Sequence, residues 1–213
     1  MNRIVGLRSL EDLEKAYDWM HAKNGRKYLQ IDDASVSGEG QEWILKRGLV
    51  DHGGWVKLRR EAPCIALVTS SAVTTRKASH EDADLVAGMM CEGFGFPENL
   101  RTLWSSIVGR DGWTCLVAEL DGEAIGTGAL FVSNGYGWLG GGTTLPAFRG
   151  PGAQAAIING RIAEGLKQGA SVFVVETEQP VWGKSNTSFK NLTRAGFRQF
   201  FTRKNYRLPD QAH

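Results

Sequence analysis

The stretch from Thr143 to Gln154 holds two prolines, two glycines and an arginine immediately before an amphipathic run, a composition that suits an anion-binding turn. Small residues let successive backbone N–H groups point into one concavity. A helix starting there adds its unpaired first-turn amides and a partial positive charge. Pro146 ends the preceding strand and Arg149 places a cation beside the turn. A diphosphate is the natural guest of such a cradle. The turn is not a nucleotide P-loop, because no Gly-Lys-Ser/Thr follows, and it lacks the G-x-G-x-x-G dinucleotide pattern.

Other residue types with chemical potential are scattered. His80 falls in the first turn of a helix, His21 and His52 lie in the N-terminal part, and His213 is the last residue, so no histidine pair and no Ser/His/Asp arrangement is visible. Cys64, Cys91 and Cys115 are odd in number, far apart and without a C-x-x-C pair. That spacing argues against a zinc ribbon or a disulfide scaffold and for buried thiols in a reducing compartment. No metal is expected. Lys+Arg 25 against Asp+Glu 23 gives a net charge of +2, which offers no bulk attraction to nucleic acid or a membrane surface. No apolar run approaches the ~18 residues of a membrane span, and the first residues lack a signal-peptide core. The expected setting is the cytoplasm. Glycine is over-represented, 27 of 213 residues, and its clusters punctuate the elements around the turn.

Those elements can be read from period and punctuation. Ser79-His80-Glu81-Asp82 predicts a helix start, carrying Leu85, Val86, Met89 and Met90 inward as far as Gly93. Phe94 to Pro97 is a loop and Leu100 to Val108 a second helix. Thr114–Glu119, Ala124–Val132 and Tyr136–Leu145 read as three strands joined by Asp121-Gly122 and Asn134-Gly135, the favoured hairpin dipeptides, and so as an antiparallel meander. From Ala153 to Gln168 the period becomes helical through Ile158, Ile162 and Leu166. Val172–Val175 is a short buried strand, Asn191–Ala195 a short helix stopped by Gly196, and Phe197–Leu208 a final strand pair. In the first 60 residues, Ile4–Leu7, Tyr28–Ile31 and Trp55–Leu58 read as strands, with helices around Leu10–Met20 and Glu42–Lys46. Lys46-Arg47-Gly48-Leu49 mirrors Arg194-Ala195-Gly196-Phe197, and Leu29 matches Val174 at a nearly equal offset, which suggests an internal duplication.

Strand, Pro146-Ala147-Phe148-Arg149-Gly150-Pro151-Gly152-Ala153 and helix together resemble the cofactor motif of the GNAT superfamily of N-acetyltransferases, [Q/R]-x-x-G-x-[G/A]. The resemblance covers roughly residues 72–208 and includes the element order and the terminal Gly-Phe pair. It implies an α/β fold with a mixed, mostly antiparallel twisted sheet flanked by helices. The strand bearing Thr144 would splay from the one bearing Val174, and acetyl-CoA would lie in the wedge as co-substrate. Its pyrophosphate would rest on the amides of Gly150, Pro151, Gly152, Ala153 and Gln154 beside Arg149. Its pantetheine arm would run along the backbone at Thr144 and Leu145, whose neighbouring N–H is the expected oxyanion donor. Asn186 falls near an asparagine that the family often uses to bond pantetheine. The acid–base candidates are Glu176 and Glu178 at a strand end flanking the wedge. The loop between the first two helices would shape the acceptor pocket, with Phe94, Phe96 and Trp104 apolar and Glu92 and Glu98 available to a cationic amine.

The sequence departs from this pattern twice. Gln154 stands where Gly or Ala is usual, and would either crowd the phosphate or donate to it. Leu192 stands at the position of a frequent tyrosine, so the acid role is vacant or falls to Tyr206, Ser185, Ser188 or water. Residues 1–62 are expected to be a degenerate half-repeat without the glycine turn, beginning in what would be the middle of such a unit, and 72–208 the acetyltransferase domain. An N-terminal segment preceding Met1 is one explanation of that start. The expected activity is acetyl transfer from acetyl-CoA to a primary amine on a small molecule or peptide, directly in a ternary complex. Neither nucleic acid nor membrane is an expected partner, and a homodimer is compatible. The alternative left open is a non-catalytic acyl-CoA-binding or interaction module.

Overall fold

The computed structural model describes residues 2–62, 72–150, 152–183 and 185–209. The expected boundary segment with Pro63 and Cys64, Pro151 of the glycine turn, and His213 lie outside the described residues. In chain order the strands and helices begin with β1 (Asn2–Ile4), α1 (Leu10–His21), β2 (Lys27–Ile31), α2 (Gly38–Lys46), β3 (Val50–Glu61), β4 (Thr74–Lys77), α3 (Ala83–Phe94) and α4 (Arg101–Ser105). They continue with β5 (Trp113–Leu120), β6 (Glu123–Ser133), β7 (Tyr136–Thr144), α5 (Ala153–Lys167), β8 (Val172–Glu178), α6 (Thr187–Arg194) and β9 (Arg198–Arg207). The mixture of parallel and predominantly antiparallel pairing agrees with the expected α/β class.

Two compact units divide this chain. The first comprises Met1–Leu58, Glu176–Asn186 and Gln199–His213. Its strands run β1-β2-β9-β3, with β1 parallel to β2 and β2 antiparallel to β9. Apolar residues at helical spacing in α1, among them Leu13 and Met20, bury against Leu29 and Ile31 of β2. The first turn of α1 is closed by its own side chains: the Asp12 amide donates to Ser9 Oγ and the Ser9 amide to Asp12 Oδ2, both at 3.1 Å.

The second unit comprises Arg59–Val175 and Thr187–Arg198, with strand order β8-β7-β6-β5-β4. Asp121 and Asn134 take φ of 51° and 48°, each followed by a glycine with positive φ, so both expected hairpin turns form. β7 then pairs with β8 in parallel over Tyr136–Trp138. Ile157, Ile158 and Ile162 of α5 are buried, whereas Leu166, expected on the same face, is exposed because Gly165, close against Phe173, takes the inward position of the last turn. Leu85 of α3 is likewise exposed, and the inward stripe is Val86, Met89 and Met90.

Three elements differ from expectation, the first being β1, which is Asn2–Ile4 in place of Ile4–Leu7 because Gly6 turns to φ 87°. The expected helix Leu100–Val108 is only Arg101–Ser105, because the Ser105 and Ser106 hydroxyls bond back to the Thr102 and Leu103 carbonyls and Gly109 turns to φ 76°. The expected final strand pair is the single strand β9, since Gln199 to Lys204 contains no glycine, proline or other turn former. Elsewhere the order β1-α1-β2-α2-β3 repeats as β7-α5-β8-α6-β9. The Gly48-Leu49 and Gly196-Phe197 endings share one geometry, with Leu49 N–H on Ile44 O at 3.2 Å and Phe197 N–H on Leu192 O at 3.1 Å. Gly95-Phe96 after α3 closes in the same way, so the ending belongs to helix termination in general and the element order is the more specific likeness.

The entry to α3 carries a charge latch. Arg76 donates to both carboxylate oxygens of Asp82 at 2.7 and 2.9 Å and to Glu119 at 2.7 Å, while the Ser79 amide donates to Asp82 at 2.7 Å. Arg76, and after it the Ser79 amide, hold the Asp82 carboxyl well below the usual carboxylate range. A carboxylate with a depressed folded-state pKa stabilises above its unfolded pKa and loses that contribution as pH falls. Asp82→Asn is therefore expected to cost about 1 kcal/mol at pH 7. In urea titrations the gap from wild type should shrink progressively below about pH 4.

Candidate functional site

The turn after β7 opens a cavity of about 810 Å³ within the second unit. Thr143 and Thr144 at the end of β7 form one side, Arg149, Gly150 and Gly152 the rim, and Ala153 to Ala155 of α5 the floor. Polar residues of α6 complete the lining: Thr187, Ser188, Asn191 and Arg194. Gly150 and Gly152 have φ of 124° and 98°, conformations that favour glycine, and Gly152 caps α5 in the left-handed region. A Cβ built on Gly150 meets nothing within 4 Å.

Three observations make the cavity fit an anion with an extended polar arm. First, among the described residues no side chain caps α5, in contrast to α1 and α2, which are capped by Ser9 and Ser37. Donation to a phosphate by first-turn amides is worth about 1.5–3 kcal/mol per charged hydrogen bond. Second, Arg149 and Arg194 line the cavity and make no ion pair among the described residues. Third, Thr144 Oγ1 is buried with no hydrogen-bond partner among the described residues. A polar atom in that state is costly unless a ligand group completes it. Beyond Trp138 the β7–β8 ladder stops, so Leu139 to Thr144, apart from Gly141, are paired on the β6 side and not with β8. The splay between the strands of Thr144 and Val174 therefore begins directly after their last shared register pair.

Of the expected cofactor residues, Thr144, Arg149, Gly150, Gly152, Ala153 and Gln154 line this cavity. Gln154 does not crowd it: its Oε1 accepts from Asn191 Nδ2 at 2.6 Å, which draws the side chain toward α6 and leaves its amide hydrogens as donors. The Leu145 amide, near the expected oxyanion donor, already donates to Ile125 O at 2.9 Å and is spent in the sheet. Leu192, at the tyrosine position, is buried in the core.

The expected acceptor residues approach through a close contact between α3 and β7. A Cβ on Gly93 would stand 2.0 Å from Thr143 Oγ1, so only a glycine lets the end of α3 close on the end of β7. Glu92, Phe94 and Phe96 around it are exposed. The Phe94 and Phe96 rings stack at 5.2 Å, with Trp104 stacked on Phe96 at 6.2 Å. Glu98 is committed to Arg101 at 3.0 Å, which also grips Asp84.

The remaining expected residues belong to the first unit. Glu176 forms an ion pair with Lys57, whose ammonium is pushed down to about 8 by burial and by the nearby charges of Arg203 and Arg3. Glu178 is exposed, and its carbonyl accepts from Asn186 Nδ2 at 2.7 Å. Tyr206 donates to Asp33 at 2.9 Å, and burial together with that carboxylate pushes its phenol up to about 12, which makes it a poor acid. Among the described residues no group of three or more His, Cys, Asp or Glu side chains is placed to hold a metal, and no helix is long and apolar enough to cross a membrane.

Asn191 and Arg194 were not expected from sequence, although Thr187, Ser188, Asn191 and Arg194 form a polar stripe at helical spacing that could have shown them. Lys57 had no such signal, being 119 positions from Glu176.

No protein-family model matches the sequence, and no curated protein matches it. Solved structures do. A GCN5-related N-acetyltransferase from Sphaerobacter thermophilus is similar at a TM-score of 0.73 and 18% identity, over 95% of this chain and 68% of that one. A GCN5-related N-acetyltransferase from Kribbella flavida gives 0.69 and 14%, over 95% and 76%. A GNAT-family acetyltransferase from Colwellia psychrerythraea gives 0.66 and 14%, over 93% and 72%.

Gly152→Trp is expected to abolish binding of acetyl-CoA, the diphosphate ligand implied by the resemblance, by filling the rim of the cavity. Its positive φ adds about 1–2 kcal/mol of strain. Gly169→Trp, at the other end of α5 with φ 83° and open space around it, carries similar strain and should bind normally. Calorimetric titration of both variants checks this; equal binding by the two would displace the ligand from the cavity.

Proposed function

Starting from the GNAT acetyltransferase fold that this chain adopts, we propose that the protein transfers an acetyl group from acetyl-CoA to a primary amine, on a small molecule or a peptide, directly in a ternary complex. The observation that carries this reading is the uncapped start of α5 facing an unpartnered Thr144 hydroxyl on the open edge of β7. Bound acetyl-CoA supplies an activated thioester carbonyl for the amine to attack. Gly150, Gly152, Ala153 and Gln154 hold the diphosphate, with Arg149 and Arg194 adding charge at the rim. Thr144 receives the polar arm along β7.

Presenting a lysine-like amine, pKa ~10.4, in neutral form at pH 7 costs roughly 4.6 kcal/mol. Burial of the amine or a general base offsets that cost. Glu176 is the proposed base and Glu178 its alternate; Glu176 lies two residues beyond Val174, where the β7–β8 ladder ends. Its carboxylate is held by the ion pair with Lys57. Asn186 is the proposed further contact to the pantetheine arm. The exposed faces of Phe94 and Phe96 offer a cationic acceptor ring contacts, and Glu92 offers it a counter-charge. With Leu192 apolar and Tyr206 engaged, Ser188, which lines the cavity, is the proposed hydroxyl for protonating the departing thiolate.

The test is thiol release from acetyl-CoA against a panel of small and peptidic primary amines. Glu176→Gln is expected to lower turnover about a hundredfold while leaving acetyl-CoA affinity unchanged. Unaltered turnover on a good acceptor would remove Glu176 from the mechanism. Tight acetyl-CoA binding with no thiol release from any amine would replace the enzyme by a binding module.

A further inference from the structure

α5 carries a buried cation that neither the diphosphate cradle nor the proposed acid–base groups use. Arg161 is 3% exposed and makes no ion pair among the described residues. Its Nε donates to Ile157 O at 3.2 Å within the helix. Its Nη1 reaches Ala129 O of β6 at 3.2 Å and, at the long distance of 3.5 Å, Gly140 O of β7. The nearby ionisable group is Cys115, whose thiol burial pushes up to about 11 and which is therefore neutral. Burial draws the guanidinium down to about 10, so it remains cationic at neutral pH.

Burying a charge without a counter-charge is expensive, and a hydrophobic side chain of similar volume would normally be preferred there. The two strands nevertheless make room for it. A Cβ on Gly128 would stand 3.0 Å from Arg161 Nε, and one on Gly142 would stand 2.7 Å from Nη2.

The place where the guanidinium bridges β6 and β7 is an irregularity in their ladder. Gly128 pairs with Gly142, but the next residue, Ala129, pairs with Gly140. Gly141 is the extra residue, at φ 52°, which makes this a β-bulge of β7. Three successive glycines, 140 to 142, have little intrinsic preference for that geometry and lose much backbone freedom in adopting it. The bulge also sits within Leu139–Thr144, the part of β7 that has left β8.

Resting on the acetyl-CoA reading of the cavity, we propose that Arg161 is a positioning residue: by tying the Ala129 and Gly140 carbonyls across the Gly141 bulge, it sets the free edge of β7 in the geometry that receives the pantetheine arm. It does not touch the ligand. The phosphate cradle, formed by the first turn of α5, stands without it.

Calorimetric titration separates these contributions, using acetyl-CoA and adenosine 3′,5′-bisphosphate, a nucleotide with phosphates but no pantetheine arm. Arg161→Met is expected to weaken acetyl-CoA roughly tenfold or more and to leave the nucleotide within about twofold of wild type. Arg161→Lys keeps the charge but cannot span both carbonyls, and should weaken acetyl-CoA relative to the nucleotide by a smaller factor. Equal losses for both ligands, or none, would overturn the proposal. If the methionine variant fails to fold, the lysine variant decides, and a wild-type ratio of affinities there overturns it. Wild-type protein that binds neither ligand would instead refute the acetyl-CoA reading itself.

Discussion

β7 has one bonded edge and one open edge, and the candidate site depends on that asymmetry. It is antiparallel to β6 along its whole length but parallel to β8 only over Tyr136–Trp138. A strand held on one side and free on the other exposes backbone donors and acceptors at a defined spacing, which is the requirement for receiving an extended ligand as a strand would be received. Everything around it maintains this state. The Gly141 bulge turns the strand, Arg161 ties the bulge down, and Gly93 lets α3 brace its end through Thr143. α5 then begins, uncapped, a few residues past the strand's end.

The same element order elsewhere in the chain shows what makes the difference. β1, α1 and β2 repeat the parallel β–α–β arrangement of β7, α5 and β8. There, however, the helix starts with Ser9 and Asp12 occupying each other's amides, and the carboxylate takes the place an anion would need. Where glycines replace those residues, α5 is left with unpaired donors and a positive terminus. Capping chemistry at two helix starts thus distinguishes a closed turn from a cradle, which is a local property of three or four residues and independent of the shared topology.

That is also why so much of the cradle was legible in sequence and so little of its surroundings was. The turn Arg149 to Gln154, the two hairpins and the helix starting at Ala153 are written in short-range residue types: φ-positive glycines, Asp-Gly, Asn-Gly and a change of period. Long-range pairings leave no such mark. Lys57 meets Glu176 from a remote strand, and Asn191 reaches Gln154 from the next helix but one strand away in sequence. The burial of Arg161 has no local mark, because the space that Gly128 and Gly142 leave for it exists only once β6 and β7 are paired. The expected strand pair Phe197–Leu208 is the single strand β9, since no turn former interrupts Gln199 to Lys204.

The central claim is that the first turn of α5 and the open edge of β7 together hold acetyl-CoA. Backbone amide hydrogen exchange, measured residue by residue with and without saturating acetyl-CoA, tests it directly. Protection should rise at Gly150, Gly152, Ala153 and Gln154 and along Leu139–Thr144, while the first turn of α1 stays unchanged. Protection confined to other parts of the chain, or none at concentrations that saturate binding by calorimetry, would contradict it.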